Sequence, residues 1–190
     1  MEANDLKSLY AEVTQKMHAT VEHVRHELAG VRTGRASVSI LDSVHIEAYG
    51  TMMPLNQVAS LSVPEPTLIV AQPFDPGLMG TIEKAIRAAN LGLNPANDGK
   101  LIRIPIPMLT DERRHELSKL VHRFAEEGRN GVRKYRRDAN ERLKKLMKDR
   151  LLSEDDERRG LDEVQKLTDQ YIGAIDELQK KKDEDLLGKG

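Results

Sequence analysis

Arg129, Arg133, Arg136 and Asn140 recur at intervals of four, three and four within one stretch of this 190-residue chain, with Arg137 next to Arg136. Wind that stretch as a helix at about 100° per residue, with Leu117 at the origin, and Arg129, Arg133, Arg136 and Asn140 fall at about 120°, 160°, 100° and 140°. Arg137 and Lys144 extend the row to about 200°. A guanidinium is a planar fork of donors that matches the oxygens of a phosphate. Asn140 adds a donor and an acceptor for a base edge or a 2′-hydroxyl. The chemistry such a row suits is recognition of a polyanion, RNA above all. Asp138 and Glu141 fall at about 300° and 240°, on another side, so the row is expected to stand unneutralised. The bland alternative is a solvated face laced by i, i+4 ion pairs.

Charge distribution favours the first reading. The net charge is only −1, yet residues 113–150 carry 14 basic against 6 acidic side chains, and residues 151–190 carry 7 against 12. Asymmetry of this kind points to a polyanionic partner.

Other chemistry finds little support. The chain has no cysteine, which excludes disulfides, thiolate nucleophiles and Cys-ligated zinc. His18, Glu22 and His26 are four apart and could face a metal together, but no further ligand is placed to complete a site, so no metal is expected. His45, His115 and His122 read as solvated or packing residues. The acidic run Glu154–Glu157 cannot share one helix face and reads as a helix N-terminal cluster. No Ser/His/Asp order, phosphate-cradling glycine loop or dinucleotide fingerprint is present. The chain therefore reads as a non-enzyme without cofactors. There is no run of 18 apolar residues and no apolar core near the N-terminus, so neither a membrane span nor a signal peptide is expected, and the location inferred is cytoplasmic.

The elements that must carry the arginine row follow from periodicity. Leu6, Tyr10, Val13, Met17, Val21, Val24, Leu28 and Val31 form one helical stripe over about residues 4–31. Val44, Ile46 and Ala48 then alternate as in a half-buried strand. Residues 58–63 and 68–71 read as further strands, residues 77–90 as a helix, Asn97-Asp98-Gly99 as a turn, and residues 101–106 as a last strand. Thr110-Asp111-Glu112 opens a second long helix, expected to reach about Leu152, with Leu117, Val121, Phe124, Val132, Tyr135 and Leu143 among its stripe. Gly128 and Gly131 near that stripe suggest a neighbouring helix in close approach. Ser153 with Asp156 signals a third helix, with Leu161, Val164, Leu167, Tyr171, Ile175 and Leu178 inward and Lys180–Lys182 at its C-terminal end.

No such helix buries its stripe alone. The fold class expected is α+β: an elongated antiparallel three-helix bundle from residues 1–30 and 108–190, with a small β-rich α/β domain, residues 31–107, inserted on a two-strand hinge. Gly30 and Gly34 would loosen one hinge strand, and Pro105 and Pro107 would stiffen the other.

Five segments, in order, resemble those of one family. Arg32-Thr33-Gly34-Arg35-Ala36-Ser37 resembles the hinge motif of bacterial ribosome recycling factors. Leu91-Gly92-Leu93-Asn94-Pro95 resembles that family's helix exit in the small domain, and Leu109-Thr110-Asp111-Glu112-Arg113-Arg114 its return into the bundle. Residues 132–140, Val-Arg-Lys-Tyr-Arg-Arg-Asp-Ala-Asn, are similar to its RNA-facing segment, and residues 153–159 to the start of its last helix.

That resemblance implies a monomeric translation factor that binds the post-termination ribosome. Its bundle would lie across the large-subunit tRNA sites and contact 23S rRNA. Elongation factor G, hydrolysing GTP, would push the small domain and part the subunits. Arg133 and Arg136 would be the principal rRNA contacts, with Arg129 and Arg137 beside them, while Arg32 and Arg35 would either brace the hinge or touch RNA. Tyr135 departs from the family's usual aliphatic residue and reads as core. The tail from Glu184 to Gly190 matches no motif. A helical adaptor or chaperone that binds only proteins is the competing class, and an unneutralised arginine row argues against it.

Overall fold

The computed structural model describes residues 3–188. By packing, the chain divides into two compact units, one of residues up to Arg32 and from Asp111 onward, the other Thr33–Thr110. The boundaries expected from sequence, 30/31 and 107/108, lie two to three residues earlier.

The first unit is a three-helix bundle of α1 (Ala3–Ala29), α4 (Asp111–Lys148) and α5 (Glu154–Leu187). Each of these helices packs against the other two. Their direction follows from side-chain pairs. Arg142 meets Glu12 while Gly128 faces Val24, so α1 and α4 are antiparallel. Arg129 meets Asp176 while Ser118 meets Asp183, so α4 and α5 are antiparallel too. Each predicted stripe supplies buried residues: Val13, Met17, Val21 and Val24 from α1, Leu117, Val121, Val132 and Leu143 from α4, and Val164 and Ile175 from α5. Tyr10, Phe124, Leu161, Leu167, Tyr171 and Leu178 of the same stripes are only half-buried, and Thr168 is buried where Leu167 is expected. Leu9, left out of the predicted stripe, is fully buried as well.

The third helix begins as its capping signal requires, with the Ser153 hydroxyl accepting from the Asp156 N–H at 3.1 Å. It does not end at Lys180–Lys182. It runs on to Leu187, where Gly188 adopts a left-handed C-cap (φ 67°). The reason is packing: Leu186 is fully buried and holds the last turns in the bundle. The tail that matched no motif is thus helical through Leu187.

Tyr135 is only half-buried rather than core. Its ring lies 5.9 Å below the Lys16 ammonium, and together they rim a cavity of about 70 Å³ between α1 and α4.

The second unit holds an antiparallel sheet in the order β3 (Ala59–Glu65), β4 (Leu68–Pro73), β6 (Ile102–Pro105), β5 (Ala96–Asn97), with a separate hairpin of β1 (His45–Ala48) and β2 (Thr51–Pro54). One helical turn, α2 (Leu55–Val58), and a longer helix, α3 (Met79–Ala88), complete it. Alternation places Ile46 and Ala48 inward from β1, and Ile102 and Ile104 inward from β6, against Ile82 and Ile86 of α3. The hairpin turns on Tyr49 (φ 53°) and Gly50 (φ 78°), the left-handed pair that a two-residue turn of right-handed twist needs. Tyr49 tolerates that backbone with its hydroxyl donating to Asp75 at 3.0 Å. The β3–β4 ladder is irregular between Ser62 and Glu65, where the register shifts. Strand β6 ends at Pro105, one residue short of the expected end, and Pro105 pairs with Leu68.

No helix among the described residues is long and apolar enough to cross a membrane.

Candidate nucleic-acid interface

Helix α4 positions the arginine row. Its first turn carries Asp111 and Glu112, where the helix dipole favours them. Two small residues then let the neighbours close in. A Cβ on Gly128 would collide with Val24 and lie 3.2 Å from Ile175 Cδ1, and one on Gly131 would lie 3.2 Å from Thr20 Cγ2. The helix is thereby fixed between α1 and α5, and the flank bearing the arginines is set.

The five expected residues do not behave alike. Arg129 is almost covered, its side chain 11% exposed, and its donors are taken within the bundle. Nε donates to Glu126 at 2.9 Å, Nη1 to Asp176 at 2.6 Å, and Nη2 to the Gln179 carbonyl oxygen at 2.9 Å. Arg133 is 41% exposed. Its Nη1 donates to Glu126 at 3.0 Å and to Asn130 at 3.1 Å. Arg136 is half-buried, and among the described residues it hydrogen-bonds only to the neutral Gln165 side-chain carbonyl, at a long 3.5 Å. Arg137 is exposed, with no ion pair among the described residues, and exposed Lys144 behaves alike. Asn140 is half-buried, and its Oδ1 is enclosed with no partner among the described residues. Its carbonyl is therefore not presented to solvent as the expected acceptor.

The expectation of an unneutralised row needs correction. Glu126 sits inside it and pairs with both Arg129 and Arg133, while Asp176 arrives from α5. Sequence reasoning missed Glu126, although its wheel angle, about 180°, put it within the row. Asp176 and Gln179 could not be seen the same way, because their approach depends on the α4–α5 register. What stays open to a ligand is the outer part of the flank: one edge of Arg133, with Arg136, Arg137 and Lys144.

The paired carboxylates set a pH dependence. Hydrogen bonds from Arg129, then Arg133, hold Glu126 below the usual glutamate value, and bonds from Lys16 and Arg142 do the same for Glu12. A carboxylate lowered in the fold stabilises fully above its unfolded value and ceases to as pH falls through its folded one. Melting temperature is therefore expected to fall on acidification through and below the ordinary carboxylate range. Glu126→Gln should flatten that fall, and scans across acid buffers measure it.

The hinge residues divide between the units. Gly30 and Arg32 close the first, whereas Thr33, Gly34, Arg35, Pro105 and Pro107 belong to the second. The left-handed backbone falls at Gly34 (φ 74°), not at Gly30, whose N–H closes the end of α1 on the His26 and Glu27 carbonyls at 3.3 and 3.2 Å. A Cβ on Gly34 would meet Leu109 Cγ at 3.1 Å. Gly34→Ala is therefore expected to cost about 1–2 kcal/mol of stability in urea unfolding, from the left-handed backbone and the tightened contact.

His18 packs edge-on against Tyr171, the rings 6.5 Å apart, and Glu22 pairs with Arg25 at 3.2 Å. No three His, Asp or Glu side chains among the described residues are grouped to hold a metal.

Comparison with known proteins agrees with this architecture. Residues 24–187 match the family model described as ribosome recycling factor. The chain is 51% identical to the ribosome-recycling factor of Rubrobacter xylanophilus, over 93% of its own length and 95% of that protein. It is 49% identical to that of Carboxydothermus hydrogenoformans, over 96% and 98%. A solution structure of a ribosome recycling factor, 40% identical, superposes with a TM-score of 0.76 and covers 97% of this chain and 98% of its own. A second structure, 46% identical, describes the T. thermophilus ribosome recycling factor and the E. coli elongation factor G bound to the E. coli post-termination complex. It matches with a TM-score of 0.64, covering 96% of this chain and 99% of its own.

Proposed function

The chain belongs to the ribosome recycling factor family, and from that we propose that it binds the post-termination ribosome through 23S rRNA, along the outer flank of α4. The observation that carries this is the chain's concentration of positive charge on that helix, with Arg133, Arg136 and Arg137 on its solvent side. Elongation factor G is the partner, by analogy with the T. thermophilus factor. It hydrolyses the GTP, while this chain, a cytoplasmic monomer, supplies no chemical step.

The division of labour is mechanical. The bundle anchors on RNA, and the unit of residues 33–110 receives the push from the partner. Only two crossings of the chain, at 32/33 and 110/111, join the units, and we assign the hinge to them, with Gly30, Arg32, Thr33, Gly34, Arg35, Pro105 and Pro107 around it. Asn140 and Arg129 support the face from within rather than by direct contact.

The test is a splitting assay on post-termination ribosomes with and without elongation factor G and GTP. Splitting is expected only with the full set. Binding to isolated large subunits should also weaken steeply between about 50 and 200 mM salt, as several phosphate contacts require. Flat salt dependence would favour a purely protein-binding adaptor instead.

A further inference from the structure

We propose that Glu126 is a positioning residue for RNA binding: it fixes the Arg133 guanidinium so that one donor edge is presented, pre-aligned, to a phosphate. The inference rests on the proposed RNA-binding face.

A carboxylate in the middle of a face meant for a polyanion is a liability by simple electrostatics. Glu126 nevertheless sits there, and both its oxygens are in use. Oε2 accepts from Arg129 and Oε1 from Arg133. Arg133 lies seven positions on, about 10.5 Å along the helix axis, beyond the usual i, i+4 reach. The pair therefore needs both side chains laid along the helix. Arg129 provides for this: nearly buried and clamped to Asp176 and Gln179 of α5, it ties the Glu126 carboxylate to the bundle. The hydrogen bonds from Arg129 and Arg133 also lower the pKa of Glu126, which favours its ionised form.

The pinning is selective. Both bonds that Arg133 donates, to Glu126 and to Asn130, use Nη1. Nε and Nη2 have no partner among the described residues. They lie on the same side of the guanidinium and form the edge that grips two phosphate oxygens at once. Holding the far nitrogen removes the side-chain freedom that binding would otherwise have to remove.

Two readings of Glu126 predict opposite signs. If it is only a negative charge near RNA, its removal tightens binding. If it positions Arg133, removal weakens binding. The experiment measures affinity of the full-length protein for isolated large subunits across a salt series, for wild type, Glu126→Ala, Glu126→Gln, Arg133→Ala and the Glu126→Ala/Arg133→Ala double variant, with melting curves for each. Glu126→Ala is expected to weaken binding about three- to tenfold, the factor for ordering one flexible side chain on binding. Arg133→Ala should weaken it too, with a shallower salt slope. In the double variant Glu126→Ala should add no further loss. Glu126→Gln, the same shape without charge, guards against loosening of the α4–α5 contact and should fall between wild type and Glu126→Ala. Tighter or unchanged binding in both Glu126 variants, with Arg133→Ala weakened, overturns the positioning role. Unchanged binding in Arg133→Ala overturns the RNA-binding face itself.

Discussion

Reversing Arg133 and Arg136 to Glu in one variant is expected to cut affinity for the large ribosomal subunit at least about a hundredfold. A hydrogen bond to a charged group contributes about 1.5–3 kcal/mol, so losing two gives about 3 kcal/mol or more. Introducing two carboxylates beside phosphates adds repulsion. The fold should survive, because neither side chain belongs to the core: Arg133 is 41% exposed, and the one side-chain hydrogen bond of Arg136 among the described residues is a long one to Gln165. The matched control is Arg25→Glu with Arg158→Glu. It makes the same change in net charge on α1 and at the start of α5, where each arginine pairs with an exposed carboxylate three positions away. Equal losses in both variants would mean that bulk charge, not the α4 flank, governs binding. Arg136→Ala alone should cost at least about 1 kcal/mol by the same reasoning.

Gly128→Val should damage the bundle more than any of the single arginine substitutions. Glycine in a helix interior is ordinarily a weakness of about 1 kcal/mol against alanine, so replacement by a side chain would stabilise an exposed position. At Gly128 the sign inverts. The residue is buried, and even the first carbon of a side chain runs into Val24 while crowding Ile175. Both neighbours are β-branched and have few rotamers to escape into. Overpacking of this kind costs about 1–3 kcal/mol, here at the upper end because two helices must move. A drop in melting temperature of several degrees is expected. The same substitution at Gly173, where an added Cβ meets nothing within 4 Å, should be mild. Comparable losses at the two sites would remove the close-approach account.

The long helices are legible in the sequence because each bears a stripe of period 3.6 over many turns, and no local accident erases such a signal. Lys180–Lys182 suggests too early an end to α5 because cations suit a helix terminus. The better stop signal is Gly188, and the buried Leu186 just before it explains why the helix persists. In the small unit, β1, β4 and β6 declare themselves by alternation or an apolar run. Strand β2 does not: Thr51-Met52-Met53-Pro54 has no alternating face and is held by its hairpin partner. Strand β5 is two residues long, below any periodic signal. The arginine row is visible by angle, but its occupancy is not. Whether Arg129 faces water or Asp176 depends on how α5 registers against α4, which no single-helix wheel contains.

The irregular β3–β4 ladder bears on what the edge of the sheet offers to another strand. Strand β3 is an outer strand of its sheet, and such a strand offers unsatisfied amides and carbonyls on which another copy could template fibrous aggregates. Its first residues pair cleanly, but the register slips between Ser62 and Glu65, and Pro64 lies inside that slip with no amide to donate. The free rim is thereby broken halfway along its length. A second copy approaching that edge would therefore find a regular ladder only along the first residues of the strand.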